Sequence, residues 1–464
     1  MNRPVPAGAG GYTRGYRAWM LFILLLMNIL NLADRQGLAA IAPALKRDLE
    51  LSDTQLGVIL GLGFAIFYTL LGLPIARLSE SRNRVRIIAV SIAVFSSFGA
   101  LASRAQTFLS LLSCRVGVGI GDAGFGPPVA SLLGDHYPAG KRASAMTVVW
   151  LGAPIGALAG AAIGGYIAQH SDWRLWFLGL SLPGFVVAAL AFFTLREPRR
   201  GAADATGLAA GAVPSTTAAL KFLFSKKSMR HVLAGGSVAA IALNGMGQFW
   251  PRYLVAVFHI GPAQAGGLLG IMVVVAMASG LGLGGFGVDW AVQRDRRWYV
   301  WGPSIALALA MPLFLVGLSQ TTLTRTMFAL LPAHIALFVF FTPTLAIAQN
   351  IVDSSMRASS AFTVGIVFGL VGPGLGPTIV GVISDLAAHR SFTAGNFGAL
   401  CPGGAAAPGA APAIASACGA ASAHGITVAM AAVTCLLLWG SVHYFLAARS
   451  LRADLDTPYR RRAR

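Results

Sequence analysis

The sequence predicts an all-α membrane protein with twelve transmembrane helices, and three observations support this fold class. Of its 464 residues, 56% are hydrophobic and only 11% are charged, whereas soluble proteins carry about a quarter charged residues. The apolar residues form long runs, and lysine and arginine cluster between these runs. A membrane β-barrel needs alternating apolar and polar residues over about ten positions, and apolar runs such as 271–278 do not alternate.

Twelve stretches are long enough to cross a hydrocarbon core of about 30 Å, which takes roughly 20 helical residues. We place them near residues 18–42, 53–76, 86–103, 107–131, 143–168, 174–195, 231–257, 263–288, 298–318, 326–351, 358–384 and 423–447. An even number of spans puts both termini on one side of the membrane. Of the 35 lysines and arginines, 26 fall in segments on that side and seven on the other, and Arg35 and Arg115 lie within spans.

This asymmetry predicts that both termini are cytoplasmic. The net charge of +19 therefore reflects topology and contact with anionic membrane lipids. A nucleic-acid partner is not predicted, because its recognition needs a basic patch on a soluble fold.

The predicted spans divide the chain into four parts. These are an amino-terminal six-helix bundle (1–196), a cytoplasmic linker (197–230), a carboxy-terminal six-helix bundle (231–448) and a basic cytoplasmic tail (449–464). The middle of the linker is small and polar, which is typical of a flexible connection. Its end, residues 218–230, mixes leucine and phenylalanine with lysine and predicts a short amphipathic helix on the membrane surface; a solvated linker helix is the alternative.

Four ionisable side chains lie well inside predicted spans: Asp34 and Arg35 in span 1, and Arg115 and Asp122 in span 4. Each charge at mid-bilayer costs about 2.5–3.5 kcal/mol on insertion scales, so the two acids and two bases are expected to pair. Arg115 and Asp122 are seven residues apart and share one helix face. If spans 1 and 4 pack together, each arginine can reach a carboxylate, and Asn31, one turn before Asp34, can add hydrogen bonds.

A functional interpretation is that a proton on Asp34 or Asp122 breaks a pair and frees an arginine for an anionic substrate. Arginine is planar and permanently charged, which suits a phosphate or carboxylate head group. The alternative is a purely structural salt-bridge network. In the first case the proton is the coupling ion, and no other cofactor is predicted.

An enzyme is not predicted. The sequence shows no nucleophile elbow, no zinc-ligand motif and no phosphate loop, so we expect no metal site. Two matches to the dinucleotide fingerprint, at 119–124 and 282–287, lie inside spans rather than after strands, so nucleotide binding is rejected.

Several residues within spans are candidates for lining a substrate cavity. Asn244 and Gln248 are polar residues of span 7, and Tyr68 and Trp150 are aromatic. Polar groups in spans can instead satisfy backbone groups, and aromatic residues can pack or anchor at the interface. In span 5, glycine recurs every four residues over 156–164, which predicts a small-residue face for close helix packing.

Charged residues after spans 2 and 8 are candidates for a cytoplasmic gate. Glu80 with Arg84, and Asp289 with Arg296 or Arg297, are the predicted ion pairs. Their alternative interpretation is that they only set the topology.

Cys401 and Cys418 share the predicted outer loop 386–422. An oxidising periplasm allows a disulfide there, but sequence spacing does not establish the required geometry. Both the bridged and the free form remain open at this stage.

Three segments carry a resemblance to a known family: NLADR at 31–35, LSDTQLG at 51–57 and RVGVGIGDA at 115–123. The chain resembles the Spinster-like transporters of the major facilitator superfamily over nearly all spans, most strongly in the first six. It departs from the family at Asp122, where glutamate is usual, and at 80–81, where Glu-Ser replaces Asp-Arg.

The resemblance implies alternating access by two six-helix bundles, with proton coupling in bacterial members and export of lysolipids or sphingoid phosphates in animals. Carried over by position, Asp34 and Arg35 are the first-helix coupling pair, and Arg115 and Asp122 are their partners in the fourth helix.

We therefore expect a monomeric, proton-coupled transporter of a small-molecule or lipid substrate, amphipathic and anionic or lysolipid-like, in a bacterial inner membrane. One alternative is a proton-linked transporter of small organic anions or drugs. Another is a non-transporting membrane sensor or scaffold, which usually carries an attached soluble domain.

Overall fold

A computed structural model describes residues 12–137, 139–198, 216–352 and 357–456, and all regular secondary structure in these ranges is helical. In chain order the α-helices are α1 (Arg14–Asp48), α2 (Asp53–Leu60), α3 (Leu62–Ser81), α4 (Arg84–Ala102), α5 (Phe108–Asp122), α6 (Gly126–His136), α7 (Ala139–Trp150), α8 (Gly152–His170), α9 (Arg174–Thr194), α10 (Thr216–Ser225), α11 (Lys227–Phe258), α12 (Pro262–Gly282), α13 (Val288–Val292), α14 (Trp298–Leu318), α15 (Leu323–Phe338), α16 (Phe341–Asn350), α17 (Arg357–Leu370), α18 (Gly376–Ser391), α19 (Phe397–Leu400) and α20 (Pro412–Asp456).

Within these described ranges, twelve segments are long and apolar enough to cross a membrane. Single helices form six of them: α1, α4, α9, α11, α14 and α20. The other six are composite, such as α2 with α3 and α5 with α6. The predicted fold class, an all-α membrane protein with twelve spans, is confirmed.

The last span is longer than predicted. Helix α20 begins at Pro412 rather than near 423, and α18 continues to Ser391, so the connection between them is 392–411 instead of 386–422. Residues 412–424 are rich in alanine, which forms helix well but contributes little hydropathy. A search for hydrophobic stretches therefore starts the span too late.

The amphipathic linker helix is shorter than predicted. Helix α10 ends at Ser225, and the extended backbone of Lys226 separates it from α11. Phe222 and Leu223 are buried, whereas Lys221 and Phe224 are exposed. The apolar side chains of α10 are therefore divided between a buried and an exposed face.

The chain forms two compact units. Unit 1 comprises the described parts of Met1–Ala44, Gly63–Ala209 and Pro262–Gly270, and unit 2 those of Leu45–Leu62, Ala210–Gly261 and Ile271–Arg464. Residues 45–62, around the start of the second span, thus group with the later helices. The predicted four-part division of the chain remains a prediction.

The core of unit 1 is built on one face of α1. Met20, Ile23 and Met27 are fully buried and follow the spacing of a single helix face. They pack in one cluster with Ile88 of α4 and Leu132 of α6. This cluster fixes α1 within the unit, so it also fixes the charged residues farther along the helix.

Helix α8 packs against α1 through four glycines in a matched repeat of four residues. A Cβ atom added at Gly156 would lie 2.3 Å from the carbonyl oxygen of Ile29, and one at Gly160 would lie 2.4 Å from that of Ala33. Gly152 and Gly164 make the equivalent approaches one turn before and one turn after. The small-residue face predicted for this span therefore lies against the backbone of α1, beside Asp34.

Unit 2 centres on α20, which packs against α11, α14 and α18. Ser304 and Ser441 each donate a hydrogen bond to the other's carbonyl oxygen, at 3.0 and 2.7 Å, which ties α14 to α20. Two spans contain one π-helical turn each, at Leu283–Gly287 and at Val371–Leu375.

Candidate functional site

The candidate site in unit 1 is a buried network of two ion pairs. Nη2 of Arg35 donates to Oδ2 of Asp122 at 2.6 Å, and Nη1 of Arg115 donates to Oδ2 of Asp34 at 2.8 Å. The structure therefore brings together all four residues predicted from their charge and position. Both pairs connect α1 to α5.

The two pairs differ in their access to solvent. The side chains of Arg115 and Asp34 are 2% and 3% exposed, so this pair is shielded from solvent. In the other pair Asp122 is 3% exposed, but Arg35 is 27% exposed. Arg35 is the cation of the network that a ligand can reach.

Two aromatic rings of α3 line the network. The guanidinium carbon of Arg35 lies 4.4 Å from the centroid of the Phe64 ring and 5.5 Å from that of Tyr68. The guanidinium carbon of Arg115 lies 5.7 Å from the same Phe64 ring. Ring faces attract cations, so Phe64 holds both arginines while presenting an apolar surface beside them. Tyr68 was a predicted cavity residue, and the structure places it at Arg35.

Each arginine of the network has one donor nitrogen that makes no hydrogen bond among the described residues. Among the described residues, the Nε atoms of Arg35 and Arg115 are buried and make no hydrogen bond. A small cavity beside the network is lined by Asn31, Asp122, Ser91 and apolar neighbours. The predicted residue Asn31 therefore lies next to Asp122, on the wall of the same cavity.

Glycines of α5 let the surrounding helices approach the network. A Cβ atom added at Gly119 would lie 2.7 Å from the carbonyl oxygen of Phe64, and one at Gly121 would lie 2.5 Å from the backbone nitrogen of Phe95. The glycines of the rejected dinucleotide fingerprint at 119–124 thus serve helix packing.

Asn244 and Gln248 belong to unit 2, one turn apart on α11, and both are half-buried. Nδ2 of Asn244 donates to the carbonyl oxygen of Ala240 at 2.9 Å. Asn244 thus satisfies a backbone group of its own helix, which is one of the two roles foreseen for it. Trp150, the other aromatic candidate, is exposed at the end of α7.

Among the described residues, Arg84 pairs with two acids that were not predicted. Arg84 is 1% exposed, and its guanidinium group contacts Asp135 and Glu197, each at 2.6 Å. It is the first residue of α4, after the N-cap Asn83. The side chain of Glu80 lies outside the described residues, so its predicted pairing with Arg84 stays a prediction.

The predicted pairing of Asp289 with Arg296 or Arg297 is incorrect. Asp289 is exposed, and Arg296 contacts Asp456 at the end of α20, 3.3 Å away. The backbone amide of Arg297 donates to Asp295 at 2.9 Å. The long α20 supplies the partners of this loop, because Arg452 also contacts Asp295, at 2.7 Å.

These contacts stabilise the ionised form of the Asp295 carboxyl group. The hydrogen bonds from the Arg297 amide and from the Arg452 guanidinium group lower the pKa of its carboxyl group below the ordinary value. Asp295 is therefore anionic at neutral pH.

Cys401 and Cys418 form a disulfide with a Cα–Cα distance of 5.6 Å. Cys418 lies on α20 rather than in the predicted loop, so the bridge joins the connection 392–411 to the start of this helix. Both cysteines are buried in a small cluster with Phe392, Phe397 and Ala388.

A second buried charge cluster, in unit 2, was not predicted. The carboxylate of Asp53 accepts hydrogen bonds from Lys46 and Arg252, each at 2.5 Å, and from Ser384 at 2.6 Å. Lys46, Asp53 and Arg252 are at most 8% exposed. We call these three residues the Asp53 cluster.

A fourth charge, Asp385, reinforces the same region. Its carboxylate accepts hydrogen bonds from the backbone amides of Asp53 and Thr54 at 2.9 and 2.7 Å. It therefore stabilises the positive amino-terminal end of α2. The capping sequence Ser52-x-x-Gln55, which forms the expected reciprocal bonds, was the signal in the sequence for this helix start.

The comparisons with known proteins agree with this architecture. A crystal structure of a bacterial homolog of the human lysosomal transporter Spinster, in an inward-facing and unoccupied conformation, superposes with a TM-score of 0.86 and 27% identity, covering 96% of this chain and 99% of that chain. The Spinster-like resemblance stated from the sequence is thereby confirmed.

Curated relatives are transport proteins as well, and none of those below is an enzyme. An MFS-type efflux pump of Mycolicibacterium smegmatis is 27% identical over 373 residues, covering 80% of this chain and 85% of the relative. Protein spinster homolog 1 of Xenopus tropicalis is 23% identical over 395 residues, covering 81% and 74%. The model of the Major Facilitator Superfamily matches residues 24–377. Twelve apolar helices and this match identify the chain as a multi-pass membrane transporter that belongs to the Major Facilitator Superfamily.

Proposed function

We propose that this transporter is proton-coupled and moves an amphipathic anionic or lysolipid-like substrate by alternating access. The observation that supports this most directly is the buried network of Asp34, Arg35, Arg115 and Asp122. It is electrically neutral as a whole, and only one of its cations, Arg35, is reachable.

The coupling step follows from the Arg35–Asp122 pair. An incoming anion competes with Asp122 for the guanidinium group of Arg35. Leaving Asp122 charged without its partner in a buried setting is costly, so the carboxylate takes up a proton as the anion binds. Substrate and proton therefore occupy the network together, and each stabilises the bound state of the other.

The surroundings of Arg35 suggest the substrate class. The guanidinium group offers planar, paired donors to a phosphate or carboxylate. Phe64 and Tyr68 offer an apolar surface within 5.5 Å of it. A charged head group attached to an apolar body matches both features. A sphingosine-1-phosphate transporter of Danio rerio, 22% identical to this chain over 380 residues, is named for a substrate of this kind.

The experiment uses purified protein reconstituted in liposomes that contain a pH-sensitive dye. A fluorescent anionic lysophospholipid is added under an imposed pH gradient, and uptake and internal pH are recorded together. We expect Asp34→Asn and Asp122→Asn to reduce gradient-driven uptake at least tenfold. An amide at 122 cannot carry the proton, and an amide at 34 leaves the buried Arg115 without its carboxylate. The matched control is Asp172→Asn, an exposed acid between α8 and α9, which should transport like the unmodified chain.

If both network variants keep the pH dependence of the unmodified chain, the coupling role is wrong. Retained proton coupling without movement of the lysophospholipid would instead favour the second candidate function, proton-linked transport of a small organic anion or drug. The similarity to an efflux pump of Mycolicibacterium smegmatis supports that candidate.

We also propose that the chain resides in a bacterial inner membrane with both termini in the cytoplasm, because 26 of its 35 basic residues fall on that side.

A further inference from the structure

A groove on unit 1 lies apart from the ion-pair network. It has a volume of about 410 Å³ and is formed by the last turns of α3, the first half of α4 and the last turn of α5. Its apolar wall comprises Ile75, Leu78, Ile87, Val90, Val94 and Ile120. Leu78 and Val90 are 46% and 57% exposed, so the groove opens outward from the unit.

One end of the groove is basic. Arg82, Asn83 and Arg86 line it there, and both arginines are exposed. The backbone amides that begin α4 are already engaged, since that of Arg86 donates to Asn83 and that of Arg84 to Glu197. The positive charge at this end of the groove is therefore that of the two guanidinium groups.

The groove is amphipathic along its length. Helix α4 begins at Arg84 and is a membrane span from its first residue, so Arg82 and Arg86 lie where the span starts. Val94 is eight residues beyond Arg86, which corresponds to about 12 Å along the helix. The basic end is thus at the depth of lipid head groups, and the apolar wall extends into the depth of acyl chains.

We propose that this groove binds an anionic phospholipid, with its phosphate on Arg82 and Arg86 and one acyl chain along Leu78, Val90 and Val94. Charge complementarity selects an anionic head group, and the position at the start of the span selects a membrane lipid rather than a soluble anion. Ser91 and Gly121 line both this groove and the small cavity beside Asp122, so the bound lipid lies one helix wall away from the network. The proposal does not depend on which substrate the chain transports.

The test is native mass spectrometry of the detergent-purified full chain. The protein is mixed with phosphatidylglycerol and phosphatidylcholine of identical acyl chains in equal amounts. The unmodified chain should retain phosphatidylglycerol preferentially. A basic residue near the membrane surface contributes about 1 kcal/mol to the binding of anionic lipid, or about fivefold in affinity. The double variant Arg82→Gln/Arg86→Gln should therefore weaken phosphatidylglycerol binding about 25-fold.

Three further variants make the test specific. Arg77→Gln removes an exposed arginine of α3 that does not line the groove, and it should keep the preference. Arg86→Lys retains the charge and should keep binding within about twofold of the unmodified chain. Val90→Trp fills the apolar wall and should lower the retention of this lipid while leaving both arginines in place.

The proposal is overturned if the double variant retains the lipid preference, or if Arg77→Gln loses as much of it as the double variant. It is also overturned if glycerol phosphate, which lacks acyl chains, displaces the lipid at equal concentration. A dimer of the unmodified chain that forms on delipidation and dissociates when lipid is added would assign the groove to a second copy of this chain.

Discussion

Asp34 and Arg35 are neighbours in the sequence, yet each pairs with a residue more than 80 positions away. Successive residues of a helix point about 100° apart, so their side chains diverge and cannot bond each other well. Arg115 and Asp122 lie two turns apart on one face of α5. Arg115 pairs with Asp34, and Asp122 pairs with Arg35. The crossed arrangement makes the network depend on the rotation of α1 relative to α5.

The network could be predicted because four charges in mid-span are conspicuous, and opposite charges buried in lipid have to pair. The Asp53 cluster could not be predicted in the same way. Lys46 and Arg252 lie near the ends of spans, where basic residues are ordinary, and Asp53 resembles the usual acid in the first turn of a helix. Only the tertiary structure shows that the three are buried together.

Asp53→Asn is expected to destabilise the protein strongly. The change leaves Lys46 and Arg252 buried without their carboxylate, and breaking a buried ion pair by removing one partner costs about 3–5 kcal/mol. A large fall in the thermal unfolding temperature in detergent is the readout.

The matched control for this prediction is Asp456→Asn. The pair of Asp456 with Arg296 is exposed, with side chains 68% and 62% accessible, so its loss is expected to cost at most about 1 kcal/mol. Equal unfolding temperatures for the two variants would show that the Asp53 cluster contributes no more than a surface pair.

At the level of helices, the contact of α8 with α1 positions the charged segment of α1. The sequence predicted the glycine face of α8 from its repeat, but it did not identify the partner. The facing positions on α1 are Leu25, Ile29, Ala33 and Gly37, which share no residue type. The contact is made mainly by their backbone atoms, which all residue types share, so the sequence of α1 does not indicate it.

Gly160→Ala is expected to lower the thermal unfolding temperature, because its methyl group would lie 2.4 Å from the Ala33 carbonyl oxygen and force the two helices apart. Overpacking of this kind costs about 1–3 kcal/mol. The measurement also includes gradient-driven uptake, which should fall because Ala33 adjoins Asp34.

Gly179→Ala serves as the comparison, since it lies in α9 of the same unit with nothing within 4 Å of the added atom. Its stability should be unchanged or higher by up to about 1 kcal/mol, from helix propensity alone. Should Gly160→Ala behave in the same way, the close approach of α8 to α1 would not be required.

The gate pairs show where reasoning along helices fails. Arg296 was matched with an acid close to it in sequence, whereas its partner is at the end of α20. Arg84 has partners on α6 and beyond α9 among the described residues. A long arginine side chain near a helix end can reach acids on several helices and loops, so proximity in sequence is a weak guide to its partner.

At the scale of the whole molecule, the length of the apolar runs predicted the twelve spans, since the bilayer sets that length. The family was predicted from three short segments, at 31–35, 51–57 and 115–123. The sequence did not identify the substrate, because the side chains that would line a substrate cavity and select the substrate come from many helices.

The orientation can be tested on the full chain with the eleventh strand of a split green fluorescent protein as a tag. A tag after Arg464 should be complemented by the cytoplasmic fragment. The same tag inserted in the 392–411 connection should remain dark, with protein abundance checked by immunoblot. The reverse pattern would contradict the proposed topology.

The π-helical turns at Leu283–Gly287 and Val371–Leu375 affect how any mutational scan of these spans must be indexed. Such a turn inserts one additional residue, so everything beyond it is offset by about 100° from an uninterrupted helical wheel. A periodicity analysis run straight through either turn would assign lipid-facing positions to the wrong side. The helical periodicity must therefore be fitted separately to the residues before and after each π-helical turn.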